Sequence, residues 1–271
     1  MNTLPAAQPF FFPGNKTGLL LVHGLVGLPR ELLPLGQRLA EQGYTVSSVL
    51  LAGHGQHPEA LSGVRWEEWY SSVETAWHEL QQRCDQIIPI GYSLGGLLAL
   101  HLAARQKVSS VITLSAALHL AGGWPLRLLP VGRYLIPWFY PMRNADFNDA
   151  RIRADLIDKL GSVDFDDPVV VQQLRTNIRI PTSAIHALIR CGQHVRRELP
   201  NINVPVLVLQ GRRDEVVLPV SAEQIYAQLA SPEKQLIWFE HSGHELPNGV
   251  ELEDVVACIS QWLVRHAVNS C

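Results

Sequence analysis

The chain has 271 residues, of which 47% are hydrophobic and 17% charged, enough for one large or two small domains with a sizeable core. This composition excludes a disordered chain and a small scaffold that needs disulfide or metal staples. With 22 lysines and arginines against 25 aspartates and glutamates, the net charge of −3 argues against the basic face that a nucleic-acid partner requires.

In chain order, residues 17–23 form a short apolar run ending at His23-Gly24, which reads as a buried strand. Leu32, Leu33, Leu35 and Leu39 then recur at near-helical spacing within 29–42, closed by Gly43. Tyr44 to Leu51 is a second strand. Across 64–84, Trp66, Trp69, Val73, Trp77 and Leu80 fall on one helical stripe, the mark of a core face rather than a binding platform. Ile87 to Ile90 is a third strand running straight into Gly91, followed by a helix from about Leu94 to Gln106 and a fourth strand from Val108 to Leu114. Strand, helix and strand return at Pro205–Leu209, Ser221–Leu229 and Gln235–Phe239. Val255, Ile259, Trp262 and Leu263 give a last helix its apolar face. Residues near 1–12 add one irregular strand.

Strand–helix alternation with continuously apolar strands predicts an α/β fold, a mostly parallel sheet covered on both faces by helices. The rhythm breaks between 116 and 200. Residues 124–141 hold Pro125, Pro130, Pro137 and Pro141 among Trp124, Tyr134, Trp138, Phe139 and Tyr140. No strand reads there, and helical patterns resume at about 149–160 and 181–197. The expected organisation is a core of residues 1–115 and 201–271 interrupted by a helical insertion at 116–200.

Four cysteines, Cys84, Cys191, Cys258 and Cys271, form no C-x-x-C pair. The first residues lack a basic n-region, and no run of 18 apolar residues occurs, so the expectation is a cytoplasmic protein without a signal peptide or stable membrane insertion.

Gly91-Tyr92-Ser93-Leu94-Gly95, followed by Gly96, carries the strongest chemical signal. A strand precedes it and a helix follows, the setting in which a serine hydroxyl projects above the carboxyl end of a sheet. The bland reading is a glycine-rich turn with a helix-capping serine. A nucleophilic serine needs a base, and the base an orienting acid. Asp214 lies just past the strand 205–209, with Glu215 as its competitor. His241 and His244 both follow the strand 235–239, and Gly243, which lets the loop turn back, favours His244. Backbone N–H groups for a developing oxyanion are expected from Leu94, at a helix N-terminus, and from Leu25 in the loop after the first strand. His23 reads as a satisfied structural histidine. Gly53 to Pro58 fails the dinucleotide fingerprint. The pairs His54/His57 and His241/His244 lack the H-E-x-x-H form, so no metal and no cofactor is expected.

Taken in order, His23-Gly24-Leu25-Val26-Gly27, Ala52-Gly53-His54-Gly55, the Trp66…Trp69 helix, Gly91 to Gly96, Gly211 to Val217 and Ser242-Gly243-His244 resemble the α/β-hydrolase superfamily, most closely bacterial cytoplasmic carboxylesterases and monoacylglycerol lipases. The resemblance implies an α/β-hydrolase fold with a helical cap. It also implies Ser93 as nucleophile, Asp214 as orienter and His244 as base, acting on a small-molecule ester. The aromatic, proline-rich insertion would supply apolar walls for an acyl chain, with Trp138 and Phe139 as candidate substrate-binding residues. Serine carboxylesterase action on short- to medium-chain esters is the expectation. A monoacylglycerol lipase at a lipid surface, a thioesterase or acyltransferase, and a catalytically silent binding protein are the alternatives.

Overall fold

The computed structural model describes residues 7–150, 152–153, 156–157 and 162–266, and for Trp124 the backbone only. The chain begins with a short strand, β1 (Phe11–Phe12), then β2 (Thr17–Val22), whose six residues are all buried. A 3-10 turn at Pro29–Leu32 leads into α1 (Leu33–Glu41), then β3 (Thr45–Val49), α2 (Trp66–Gln81), β4 (Gln86–Tyr92), α3 (Leu94–Arg105) and β5 (Val111–Leu114). Beyond β5 come the single turn α4 (Leu129–Gly132), β6 (Trp138–Phe139), α5 (Pro168–Asn177), β7 (Ile180–Pro181) and α6 (Thr182–Glu198). The alternation resumes with β8 (Val206–Gly211), α7 (Val220–Gln228), β9 (Lys234–Phe239) and α8 (Leu252–His266).

Seven strands form one sheet in the order β1-β3-β2-β4-β5-β8-β9. All neighbours are parallel except β1, which pairs antiparallel with β3 at the edge. The strand expected within 1–12 is this edge strand. Because β2 has β3 on one side and β4 on the other, the chain reverses direction across the sheet at β2. Open α/β sheets bind ligands at such a switch point, here the carboxyl ends of β2 and β4.

Alternation along the strands feeds two cores. Leu20 and Val22 of β2, with Val206 and Val208 of β8, face the core under α2, α3 and α6; Leu19, Leu21, Leu207 and Leu209 face the one under α1 and α8. The tryptophan stripe of α2 is buried as expected. Helix α3 is buried on every side from Leu94 to Leu102, because it lies between the sheet and α6.

The segment between β5 and β8 divides its packing. Phe147, Leu156 and Leu174 form a small core of their own, whereas Ala184, Ala187, Leu188, Cys191 and Val195 of α6 join the main core beside α3. Trp138 and Phe139 pair with Pro181 and Ile180 in a two-residue ribbon, too short to show as a strand in a hydropathy pattern. Of the helix expected over 149–160, residues 149–150, 152–153 and 156–157 are described, and all but Asp149 are helical; Cys271 lies outside the described residues. Among the described residues, no helix is long and apolar enough to cross a membrane.

Candidate active site

Ser93 directly follows β4 and precedes α3, with its backbone at φ +55°, ψ −114°. Gly91 and Gly95 make that turn possible. A Cβ on Gly91 would lie 2.1 Å from the Gly95 carbonyl oxygen, and one on Gly95 would lie 2.0 Å from that of Val22 in β2. Both obstacles are backbone atoms that cannot move aside. The turn is tied by the Ser93 N–H donating to Leu114 at 2.9 Å and the Gly96 N–H donating to Ser93 at 3.1 Å. Gly95→Ala should therefore cost about 3 kcal/mol through overpacking at the β2–α3 contact. A lower urea midpoint at unchanged m would register it.

Asp214 sits three residues past β8 and is almost fully buried. Its Oδ2 accepts from His244 Nδ1 at 2.9 Å and from the Gln210 side-chain amide at 2.9 Å, while Oδ1 accepts the N–H groups of Val216 at 2.9 Å and Val217 at 2.8 Å. Burial pushes this carboxyl up, but the bond to His244, its charge and the two backbone donors outweigh burial and hold it below the usual range. An ionised carboxylate only accepts, so the His244 Nδ1 carries a proton, and in the neutral ring the lone pair is on Nε2. The His244 ring packs on Tyr92, the residue before Ser93, with ring centroids 5.0 Å apart. Glu251 anchors the loop that carries His244, accepting from the His241 N–H at 3.0 Å and the Ser242 hydroxyl at 2.6 Å.

The two competitors lie elsewhere. Glu215 is exposed, and so is His241, whose Nδ1 is 3.3 Å from the Arg213 guanidinium.

The loop after β2 closes through the Gly27 N–H donating to Gly24 at 3.1 Å, and Val26 is held at φ +56°, unusual for a β-branched residue. It abuts the serine: a Cβ on Gly24 would lie 3.2 Å from that of Ser93. Among the described residues, no protein acceptor takes the N–H of Leu25 or of Leu94, the first residue of α3. His23 is fully buried. Its Nδ1 donates to Gly24 at 2.9 Å and its Nε2 accepts from the Leu51 N–H at 3.2 Å, tying this loop to the one after β3.

Burial, with nearby His54 adding to it and the Gly24 bond opposing it, pushes His23 down to about 3. The unfolded imidazole, titrating near 6.5, takes up its proton first as pH falls. The stability this group contributes is complete above about pH 6.5 and is lost progressively toward pH 3. Urea midpoints should decline across that window, and His23→Gln should reduce the slope.

Trp138 and Phe139 lie in β6. The Arg179 guanidinium sits 4.4 Å from the centre of the Trp138 ring, and Phe139 is half exposed. Their described contacts run to Arg179 and β7. The segment beside Asp214 is instead 119–121, where the Ala121 N–H donates to Val216 at 2.8 Å and the Leu218 N–H to His119 at 2.9 Å. Sequence reasoning missed Gln210, Tyr92 and the strained Val26. The one available signal was Gln210 itself, a buried amide closing an otherwise apolar strand.

Residues 14–251 match the family model described as serine aminopeptidase, S33. The chain is 28% identical over 265 residues to a thermostable monoacylglycerol lipase from Bacillus sp. (strain H-257), covering 97% of both chains. It is 26% identical over 259 residues to a carboxylesterase of Bacillus subtilis (strain 168), covering 95% of this chain and 96% of that one. A solved structure from work on two metagenome-derived lipolytic enzymes, LipS and LipT, superposes with a TM-score of 0.80 at 26% identity, covering 98% of this chain and 100% of that one. The parallel sheet, the strained serine at the end of β4 and the match over most of the length lead to one assignment: the chain belongs to the serine aminopeptidase S33 family of α/β hydrolases.

Proposed function

We propose that the chain is a serine carboxylesterase that hydrolyses short- to medium-chain carboxylic esters through an acyl-enzyme on Ser93. His244 Nε2 takes the Ser93 hydroxyl proton as the oxygen attacks the ester carbonyl, and the N–H groups of Leu25 and Leu94 hold the oxyanion. His244 returns the proton to the departing alcohol. It then activates the water that releases the acid. Asp214 holds the imidazole in the productive tautomer and stabilises its charged form. No cofactor enters these steps. The observation that carries the reading is the 2.9 Å bond from His244 Nδ1 to Asp214, which leaves Nε2 as the basic nitrogen. The monoacylglycerol lipase and the carboxylesterase among the relatives favour esters over the peptides that the family description names.

In this reading residues 116–200 form a cap, and Trp138 and Phe139 belong to its acyl-facing wall. Each methylene buried there would contribute about 0.8 kcal/mol, roughly fourfold in specificity, until the pocket is full. A panel of p-nitrophenyl esters of increasing acyl length, run beside thioesters and aminoacyl p-nitroanilides, tests this. Ester rates should peak at short to medium chains, and Trp138→Ala should move the peak without abolishing acetate hydrolysis. Faster turnover of the thioesters or the anilides would sink the reading.

One observation favours a monoacylglycerol lipase working at a lipid surface. Leu128, Val131, Tyr134, Leu135, Ile136 and Phe139 are all exposed within a dozen residues, with Leu135 at 80%. A jump in rate as monoacylglycerol passes its critical micelle concentration would select this reading; a smooth saturation curve would select the first.

A further inference from the structure

A second cluster of reactive side chains lies eight residues along α3 from Ser93, about 12 Å down the helix axis. His101 of α3 meets His194 and Glu198, which stand one turn apart on α6. His101 Nδ1 is 2.5 Å from Glu198 Oε2, His194 Nε2 is 3.2 Å from Glu198 Oε1, and the three prospective donor atoms lie within 4.8 Å of one another. We propose that His101, His194 and Glu198 form a binding site for a divalent transition-metal ion of the zinc type, with the fourth position left to water or a small anion.

Geometry, an orphan atom and access support it. Zinc bound at about 2.0–2.1 Å to nitrogen and oxygen in a tetrahedron sets its ligands roughly 3.3 Å apart. The 3.2 Å separation lies close to that value, the 2.5 Å one lies below it and no pair exceeds 4.8 Å, so side-chain shifts of about 1–1.5 Å would complete the shell. His194 Nε2 is buried and makes no hydrogen bond although it faces Glu198. An ion between them would give that nitrogen a partner. Two imidazoles and a carboxylate are the donor set that borderline ions such as zinc prefer.

The supporting shell is in place. The Trp66 ring packs on His194 and His101 with centroids 4.8 and 5.2 Å apart, Tyr70 packs on His101 at 4.3 Å, and Arg105 donates to Glu198 Oε1 at 3.2 Å. Open to solvent, a pocket of about 380 Å³ leads to the cluster. Arg105, Arg190 and Arg197 on its wall oppose a cation, Glu67 offsets part of that, and the balance favours chloride or hydroxide as the fourth ligand. His101 and His194 are 93 residues apart, so no spacing motif announces the site.

The test is metal content after equilibrium dialysis of the whole chain against Zn²⁺, with Co²⁺ as the spectroscopic probe. Ser93 is phosphonylated beforehand to keep the catalytic crevice from contributing. The wild type should retain one ion per chain, show the visible absorption of tetrahedral Co²⁺ and gain thermal stability with Zn²⁺. His194→Ala and His101→Gln should each bind at least tenfold more weakly and lose the stabilisation, while His241→Ala binds as the wild type does. His194 is partly exposed, so its replacement leaves the fold intact. Should His194→Ala match the wild type in content and spectrum, or should the wild type hold no ion, the cluster is an ion-pair lock between α3 and α6 and the proposal is wrong.

Discussion

Ser93→Ala should lower turnover on the order of a million-fold, because in the proposed mechanism nucleophile and base act as one unit and removing either discards the covalent route. The fold should survive. Alanine occupies the same φ of +55° that serine already tolerates, and the glycines that create the turn stay in place. Thermal midpoints and circular dichroism should therefore match the wild type. A fluorophosphonate probe should label the wild type on Ser93 and leave the alanine variant unlabelled. Label on another residue, or a variant with wild-type rate, would remove Ser93 from the mechanism. Absence of labelling in the wild type would support the catalytically silent binding protein.

His244→Ala should fall to the same floor, since Ser93 then lacks the base proposed for it. Asp214→Asn should cost about 10⁴ in kcat, and the contacts around the carboxylate show why. The natural carboxylate accepts on both oxygens: two backbone N–H groups on Oδ1, and His244 with Gln210 on Oδ2. Asparagine can keep its oxygen toward Val216 and Val217 only by turning its NH₂ toward two other donors. His244 then escapes the clash by moving its proton to Nε2, the nitrogen that must accept from Ser93. Glu215→Gln and His241→Ala replace exposed side chains and should stay within about threefold of wild type. Steady-state kinetics on one p-nitrophenyl ester, with folding checked for each variant, ranks all four. If Glu215→Gln proves more damaging than Asp214→Asn, or His241→Ala more damaging than His244→Ala, the assignment of acid and base is reversed.

Much of this architecture is legible in the sequence alone. Burial on both faces makes the strands continuous apolar runs, so β2, β4, β5 and β8 stood out, as did the stripe of α2. The Gly91–Gly95 turn was legible because its backbone geometry admits no side chain at two positions, a local requirement written in local residues. Asp214 and His244 could be placed at the carboxyl ends of their strands by order alone. Local pattern could not decide which of two adjacent acids turns inward, because Asp214 and Glu215 differ only in what the fold puts in front of them. Nor could it show that Gln210 braces Asp214, that Val26 is strained, or that α6, between β5 and β8, packs on α3. His101, His194 and Glu198 meet for the same reason. Hydropathy and turn chemistry act between residues a few positions apart and determine elements and tight turns. Contacts between residues a hundred positions apart arise only when the sheet and its helices close around a common core, and that closure decided which side chains share a site.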